Sequence, residues 1–446
     1  MRALTVLHRW FGVAFCLLFA MWFASGAVMH WVPFPELTEA ERRAGLALLA
    51  PGAVKISPAQ ALAAVHQDWI TRLRLAAPGG HPVYVATQNS GTLYAIDGVT
   101  GSPLLVDDAF ALGSARAHAA ARGIDASAPA LLETAEYDQW TVPNGLDPHR
   151  PLHRIALNDT AGTELYVSLL TGEVVRDTTR IERIANYAGS VVHWIYPTAL
   201  RKHWAAWDST VWWLSLLGGL GALAGTLLGV LRLKNFASPY RGWMYWHHVL
   251  GLACATFVLT WIFSGWLSMD HGRIFSGGRG TATEHAQLYG SPLSADELNG
   301  ITLALAHTPL HEIEWYRFAG KLLAAPLTEA DAERAATRLG AHCRVAPDDD
   351  DYAAHSRVAG MPVWRIACAE TWWQFDGTDG RVIEKLDASR RAYRWAYRAL
   401  HTLDFPALAA RPLLRDALIM LLCLLGFAFS VSGIVIGWRR VKTTLL

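Results

Sequence analysis

Four of the 18 histidines in this chain recur together with their neighbours. Shifting the N-terminal stretch by 239 residues lays His8 on His247, Gly12 on Gly251, Trp22 on Trp261, Ser25 on Ser264 and Gly26 on Gly265. A shift of 208 lays His193 on His401, with Arg183 on Arg391, Asp208 on Asp416, and Gly218, Gly225 and Gly229 on Gly426, Gly433 and Gly437. Neutral imidazole is the commonest metal ligand among side chains, so two imidazoles meeting across an axis invite a metal between them. A structural zinc site wants four ligands, commonly including cysteine, and no cysteine or carboxylate is spaced to complete either pair. Haem iron needs only two axial ligands from the protein. With histidine on both sides no position is left for dioxygen, which suits electron transfer. The plain alternative is that these histidines only donate to backbone carbonyls between helices.

The elements that carry them are apolar. Hydrophobic residues make up 52% of the 446 and charged residues 17%, which points to the membrane class, and a net charge of +1 gives no reason to expect nucleic acid as a partner. Four runs reach the ~20 residues a span needs: roughly 10 to 31, 210 to 232, 247 to 269 and 413 to 438. The first is too long, and lacks the cleavage pattern, for a signal peptide. Arg2, Arg9, Arg232, Lys234, Arg241, Arg439, Arg440 and Lys442 flank the spans on one side, so the positive-inside rule puts both termini in the cytoplasm. The expected organisation is a first span (1–32), an outer segment with an interfacial helix (33–205), a second span (206–233), a cytoplasmic connection (234–245), a third span (246–270), a second outer segment (271–412), and a fourth span with its tail (413–446). The fold class expected is an α-helical four-span bundle built from two parallel repeats about an axis along the membrane normal.

Distance separates the candidate sites. His8 and His30 lie on one helix, about 33 Å apart at about 1.5 Å per residue, so they belong to opposite faces and two sites are expected. His8 with His247 would form the inner one and His193 with His401 the outer one. His30, His203 and His271 also crowd the outer face, Met269 falls opposite His30 in the repeat, and His248 competes with His247; all remain alternates. The duplicated glycines would let a flat macrocycle or a neighbouring helix approach closely. His81, His118, His149, His153, His342 and His355 read as surface residues. Several of the 20 tryptophans, among them Trp31, Trp194, Trp204, Trp207, Trp243 and Trp438, fall where an aromatic belt is expected.

The outer segments read as small α+β modules. Ser57 caps a helix in "ISPAQALAAVHQ", "PVYVATQNSGTLYAIDGVTGSPL" alternates as two strands turning at Asn89-Ser90-Gly91, and "LSADELNGITLALAH" repeats the helix signal. Three endings, "AIDGVTGSPL", "SLLTGEVV" and "FDGTDGRVI", suggest tight turns. Cys343 and Cys368 could pair in an oxidising outer compartment.

"LHRWFGVAFCLLFAMWFASG", "YWHHVLGLACATFVLTWIFSG" and the TG-turn hairpins resemble the PepSY-associated transmembrane helix family of bacterial inner-membrane proteins, over nearly the whole chain. The His-x-x-x-Gly start with a distal Ser-Gly matches at His8, Gly12, Ser25 and Gly26, and again at His247, Gly251, Ser264 and Gly265. The branch with four spans and two outer PepSY-like modules includes siderophore reductases with two b-type haems. The resemblance therefore implies two haem b and reduction of a ferric siderophore, or another ferric complex, at the periplasmic face by electrons from a cytoplasmic reductant or quinol. In that reaction, a haem-dependent metalloreductase of the inner membrane needs no classical acid, base or nucleophile. His248 doubles the motif, and 31 extra residues in the first outer segment depart from a strict duplication. A different class of reading is a non-redox PepSY membrane protein that binds a peptide or protease, or regulates a periplasmic partner. No Gly-x-Gly-x-x-Gly occurs, so a built-in nicotinamide or flavin domain is not expected.

Overall fold

A computed structural model describes residues 2–126, 128–270, 274–301, 310–347 and 362–445. Four helices in it are long and apolar enough to cross a membrane: Arg2–Trp31, Trp204–Arg232, Trp243–Ser268 and Pro412–Leu445. Each outruns the ~20 residues a bilayer requires. None has a polar face along its spanning portion, as expected of helices solvated by lipid rather than water. The chain is a multi-pass membrane protein. The first helix packs against the second and fourth, and the third against the same two, so the first and third stand on a diagonal of the bundle. Trp31, Trp204, Trp243 and Trp438 are exposed near helix ends, as a belt requires.

Among the described residues, three antiparallel sheets lie outside the bundle. The first comprises β1 (Ile70–Ala76), β2 (Val83–Gln88), β3 (Leu93–Asp97), β8 (Glu312–Phe318) and β9 (Lys321–Leu323), in the order β3-β2-β1-β8-β9. The second runs β4 (Ala130–Ala135), β5 (Leu152–Ala156), β6 (Glu164–Ser168) and β7 (Val174–Thr178); the third runs β10 (Cys343–Ala346), β11 (Val363–Cys368), β12 (Thr371–Asp376) and β13 (Val382–Leu386). The β2–β3 hairpin turns where the alternation predicts, with Gly91 at φ 90°, a value that a side chain would strain. Ser57 caps Pro58–Ala64 and closes a capping box with Gln60. In the second outer segment the helix signal yields only Ala295–Leu298 behind Ser294, and residues 302–309 lie outside the described ones. Cys343 and Cys368 face each other on β10 and β11 and are bonded.

The two outer segments, which read from the sequence as separate modules, share the first sheet. β1 pairs with β8, setting Arg74 opposite Glu314 and Leu73 opposite Trp315. Both strands alternate, so Leu73, Leu75 and Trp315 enter one apolar core while the charged residues of "TRLRLA" and "EIEWY" line the other face. Arg74 makes two contacts of 2.6 Å to the Glu173 carboxylate, Arg42 reaches Glu173 at 3.0 Å and Glu312 at 2.7 Å, and Arg43 reaches Glu312 at 2.7 Å. Glu173 is buried, and burial alone would push its carboxyl up. The charges of Arg74 and Arg42 outweigh that and hold it at about 2.

Two histidines that read as surface residues are not. His118 is buried on the helix Asp108–Ala121 against Gly45, and burial, aided by the charge of Arg122, holds its imidazole at about 4. His153 is buried in β5, where its Nδ1 pairs with Thr134. Their strand and helix positions face cores formed by distant segments, which local polarity does not reveal. His355 lies outside the described residues.

Candidate functional site

The imidazoles of His8 and His247 meet across the first–third diagonal with ring centroids 6.2 Å apart and planes at 30°. Those of His193 and His401 stand 6.3 Å apart at 68°. His193 ends the short helix Ser190–His193, which follows a break at Gly189 after the helix Arg180–Ala188. His401 follows a π-helical turn, Trp395–Ala399, after the helix Ala388–Arg394. In each case the interruption ends the preceding helix just before the histidine, and on the His401 side it is a π-turn, a feature frequent at functional sites.

Every ring is seated against a glycine of a neighbouring helix. A Cβ on Gly225 would lie 2.4 Å from Cε1 of His8, and one on Gly433 would lie 3.4 Å from that of His247. On Gly26 it would lie 3.3 Å from Cε1 of His193, and on Gly265 3.4 Å from that of His401. These glycines, expected to let a flat macrocycle or a neighbouring helix approach closely, give room to the imidazoles of neighbouring elements. Others of the set receive aromatic rings: Gly426 meets Phe23, and Gly251 meets Phe429. Gly12 stays open, with nothing within 4 Å, and lines the inner cavity. Gly225→Ala is expected to push His8 off its seat, whereas Gly265→Ala, at an ordinary contact distance, should leave His401 in place. Mass-spectrometric mapping of diethyl pyrocarbonate labelling should therefore show a rise at His8 in the first variant and no rise at His401 in the second.

Each ring is also oriented through Nδ1. Ser25 Oγ lies 3.1 Å from Nδ1 of His193, Ser264 Oγ 3.0 Å from that of His401, and Ser432 Oγ 2.9 Å from that of His247; the Gly221 carbonyl lies 3.3 Å from that of His8. Trp22 reinforces its side, since its indole donates to the His193 carbonyl at 2.9 Å. None of the four Nε2 atoms has a hydrogen bond among the described residues. Fixing one ring nitrogen and leaving the other open is how proteins prepare histidine to ligate. The recurring Ser-Gly pair thus has a physical meaning that the sequence displayed without explaining: at the outer pair, serine orients the ring and glycine makes room for it.

The spacing can be tested against a bound metal. With a metal–imidazole bond of about 2.0–2.1 Å and the ring centre about 1.1 Å behind its nitrogen, opposed imidazoles on one metal have centroids about 6.3 Å apart. Both planes then contain the metal axis, so neither interplanar angle conflicts with that arrangement. Among the described residues no three His, Cys, Asp or Glu side chains gather to hold a metal ion, and two-ligand chemistry is what each pair can offer. Two cavities adjoin the pairs: about 390 Å³ beside His8 and His247, and about 980 Å³ beside His193 and His401. Both fall in the range of about 300–1,000 Å³ that ligand sites occupy. Phe19 and Val258 line both, and with Phe23, Phe257 and Trp261 they form an apolar layer between them. The inner cavity is edged by Arg9, Arg232 and Arg440 and by no carboxylate; the outer is lined by both signs of charge.

Of the alternates, His30 and Met269 line the outer cavity. Both ring nitrogens of His248 are bonded, Nδ1 to Ser238 Oγ and Nε2 to the Gly229 carbonyl, each at 2.8 Å, so it ties the second and third helices together. His30 is bonded through Nε2 to Asp416 at 3.0 Å. His203 is exposed at the start of the second spanning helix, Met269 lines the outer cavity, and His271 lies outside the described residues. Trp194 and Trp207, expected in the belt, line the outer cavity, with the Trp207 indole donating to the Trp194 carbonyl.

No curated protein matches the sequence. The family model described as PepSY-associated TM region matches residues 5–440, nearly the full length, and the chain belongs to that family.

Proposed function

We propose that this protein is a dihaem transmembrane electron-transfer protein that reduces ferric iron, carried by a siderophore or similar chelator, at the periplasmic face of the inner membrane. The observation that carries the reading is the pair of imidazole couples, each with Nδ1 engaged, Nε2 open and centroids 6.2 or 6.3 Å apart. His8 with His247 would hold the inner haem b, and His193 with His401 the outer one. When bound, haem would supply a one-electron carrier.

Everything else is the work of the chain. Ser25, Ser264 and Ser432 fix the tautomers, the glycine seats set the depth of each ring, and the layer around Phe23 and Phe257 keeps water out of the middle of the bundle. Two sites at two depths let a reductant from the cytoplasm or the quinol pool and a ferric complex outside act without meeting. Ferrous iron binds hard oxygen donors more weakly than ferric iron, so reduction frees the metal. Equivalent seats at Gly225 and Gly433, and at Gly26 and Gly265, support a bundle of two parallel repeats. The bonded Cys343–Cys368 pair and the basic residues at the opposite end support periplasmic outer sheets and cytoplasmic termini.

A visible spectrum of the purified protein tests the reading. A Soret band with sharp α and β bands on dithionite reduction is expected. A colourless preparation from haem-replete cells would leave the electron path without a carrier and end the proposal.

A further inference from the structure

The outer cavity is more than twice the volume of the inner one although both adjoin a histidine pair of nearly equal spacing. Its additional wall carries a third imidazole. His30, near the outer end of the first span, lies 3.0 Å through Nε2 from Oδ1 of Asp416 on the fourth, and both side chains keep about a fifth of their surface exposed, 18% and 22%. Arg415 stands behind the pair, its Nε 3.9 Å from Asp416 and its Nη1 3.7 Å from Asp404. Elsewhere in the same cavity are Asp208, Asp270 and Arg390, the last paired with Glu384 at 2.7 Å. The 208-residue offset places Asp208 at the position of Asp416, and the 239-residue offset places Met269 at that of His30. The carboxylate therefore recurs at the repeat-related position, and the imidazole does not.

We propose that His30 is the proton donor for ligand release in the outer cavity, with Asp416 as its positioning residue; this rests on the reading of the chain as a ferric-complex reductase. One electron, ultimately from quinol or a cytoplasmic reductant, converts ferric to ferrous iron. The bond from iron to a chelating oxygen breaks, and that oxygen takes the proton from Nδ1 of the His30 imidazolium. Neutral His30 keeps its Nε2–H on Asp416, which preserves the tautomer, and Nδ1 is reloaded from external water through the exposed edge of the ring. Without a proton the anionic oxygen would rebind the metal, so donation at the moment of reduction makes release forward-directed. A donor positioned in this way typically contributes about 10²–10⁴-fold.

The test uses full-length, haem-loaded protein reduced with dithionite and mixed by stopped flow either with a ferric hydroxamate chelate or with ferricyanide, which takes an electron without a proton. For the wild type, oxidation by the chelate should slow as pH is raised while oxidation by ferricyanide stays level. His30→Gln should keep its haem content and reduced spectrum, slow by about 10²-fold towards the chelate at about pH 6, and lose the pH dependence. Asp416→Asn should act in the same direction with a smaller effect, which covers the case of a poorly folded His30 variant. A His30→Gln protein with the wild-type pH profile, or one slowed equally towards ferricyanide, overturns the assignment. A wild-type protein without haem, or one inert to every ferric chelate, would instead remove the reductase reading beneath it.

Discussion

His193→Ala protein is expected to purify with about half the haem of the wild type, and His8→Ala with the other half. The two couples lie on opposite sides of an apolar layer and share no ligand, so loss of one should leave the other's spectrum intact. The result should be asymmetric in its consequences. Without the outer site the inner one should still be reduced by its donor but should not pass electrons to an external chelate; without the inner site the outer should be reducible only from outside. Pyridine haemochrome content and a redox titration, with two midpoint waves reduced to one, check this directly. His30→Ala and His248→Ala serve as the comparison, since Nε2 of His30 is bonded to Asp416 and both ring nitrogens of His248 are bonded, to Ser238 and Gly229. A loss of half the haem from His30→Ala, matching that from His193→Ala, would move the outer ligand to the first span.

The second large effect is expected in the sheets outside the bundle. Glu173→Gln should destabilise them by about 3 kcal/mol, the lower end of the ~3–5 kcal/mol that breaking a buried ion pair costs. The lower end applies because Arg42 keeps Glu39 and Glu312, and Arg74 keeps Glu312 at 3.3 Å. The same carboxylate sets an acid limit. Its folded value of about 2 lies below the ordinary 4.5, so its stabilising contribution is complete above about pH 4.5 and is lost as pH falls towards 2. That difference corresponds to about 3 kcal/mol. Glu314 and Glu39 are likewise held low by neighbouring arginines against the effect of burial, and they add in the same direction, while Asp379, pushed up by burial, opposes them. Thermal unfolding followed by circular dichroism between about pH 7 and pH 3 should show the wild type losing its advantage over Glu173→Gln as the pH falls. A constant gap between the two would show that Glu173 is not the titrating group.

Much of this architecture was legible in the chain. Spanning helices follow from apolar length, because lipid cannot satisfy backbone groups and only a long apolar helix answers that condition. The histidine pairs were legible because they are duplicated, and duplication shows residue type and depth together. The Ser57 cap, the Asn89-Ser90-Gly91 hairpin and the Cys343–Cys368 bond were readable for a similar reason, since each depends on chemistry within a few residues or on one distinctive pair.

Three things were decided only by the tertiary structure. Four of the duplicated glycines, which could have admitted a flat ligand or a neighbouring helix, lie against the imidazoles, because which side chain fills a gap depends on the rotation of a neighbouring helix. Which of His247 and His248 faces His8 depends on the same rotation. Arg72, Arg74, Glu312 and Glu314 lie some 240 residues apart in the chain, and their polarity alone reads as two solvated strand faces; only the pairing of β1 with β8 turns them into the joint between the outer segments. The sequence by itself set what could cross the membrane and which residue types recur at each depth, because those depend on composition and spacing along one chain. The partners of those residues depend on helix rotation and sheet register, which emerge only when distant segments pack.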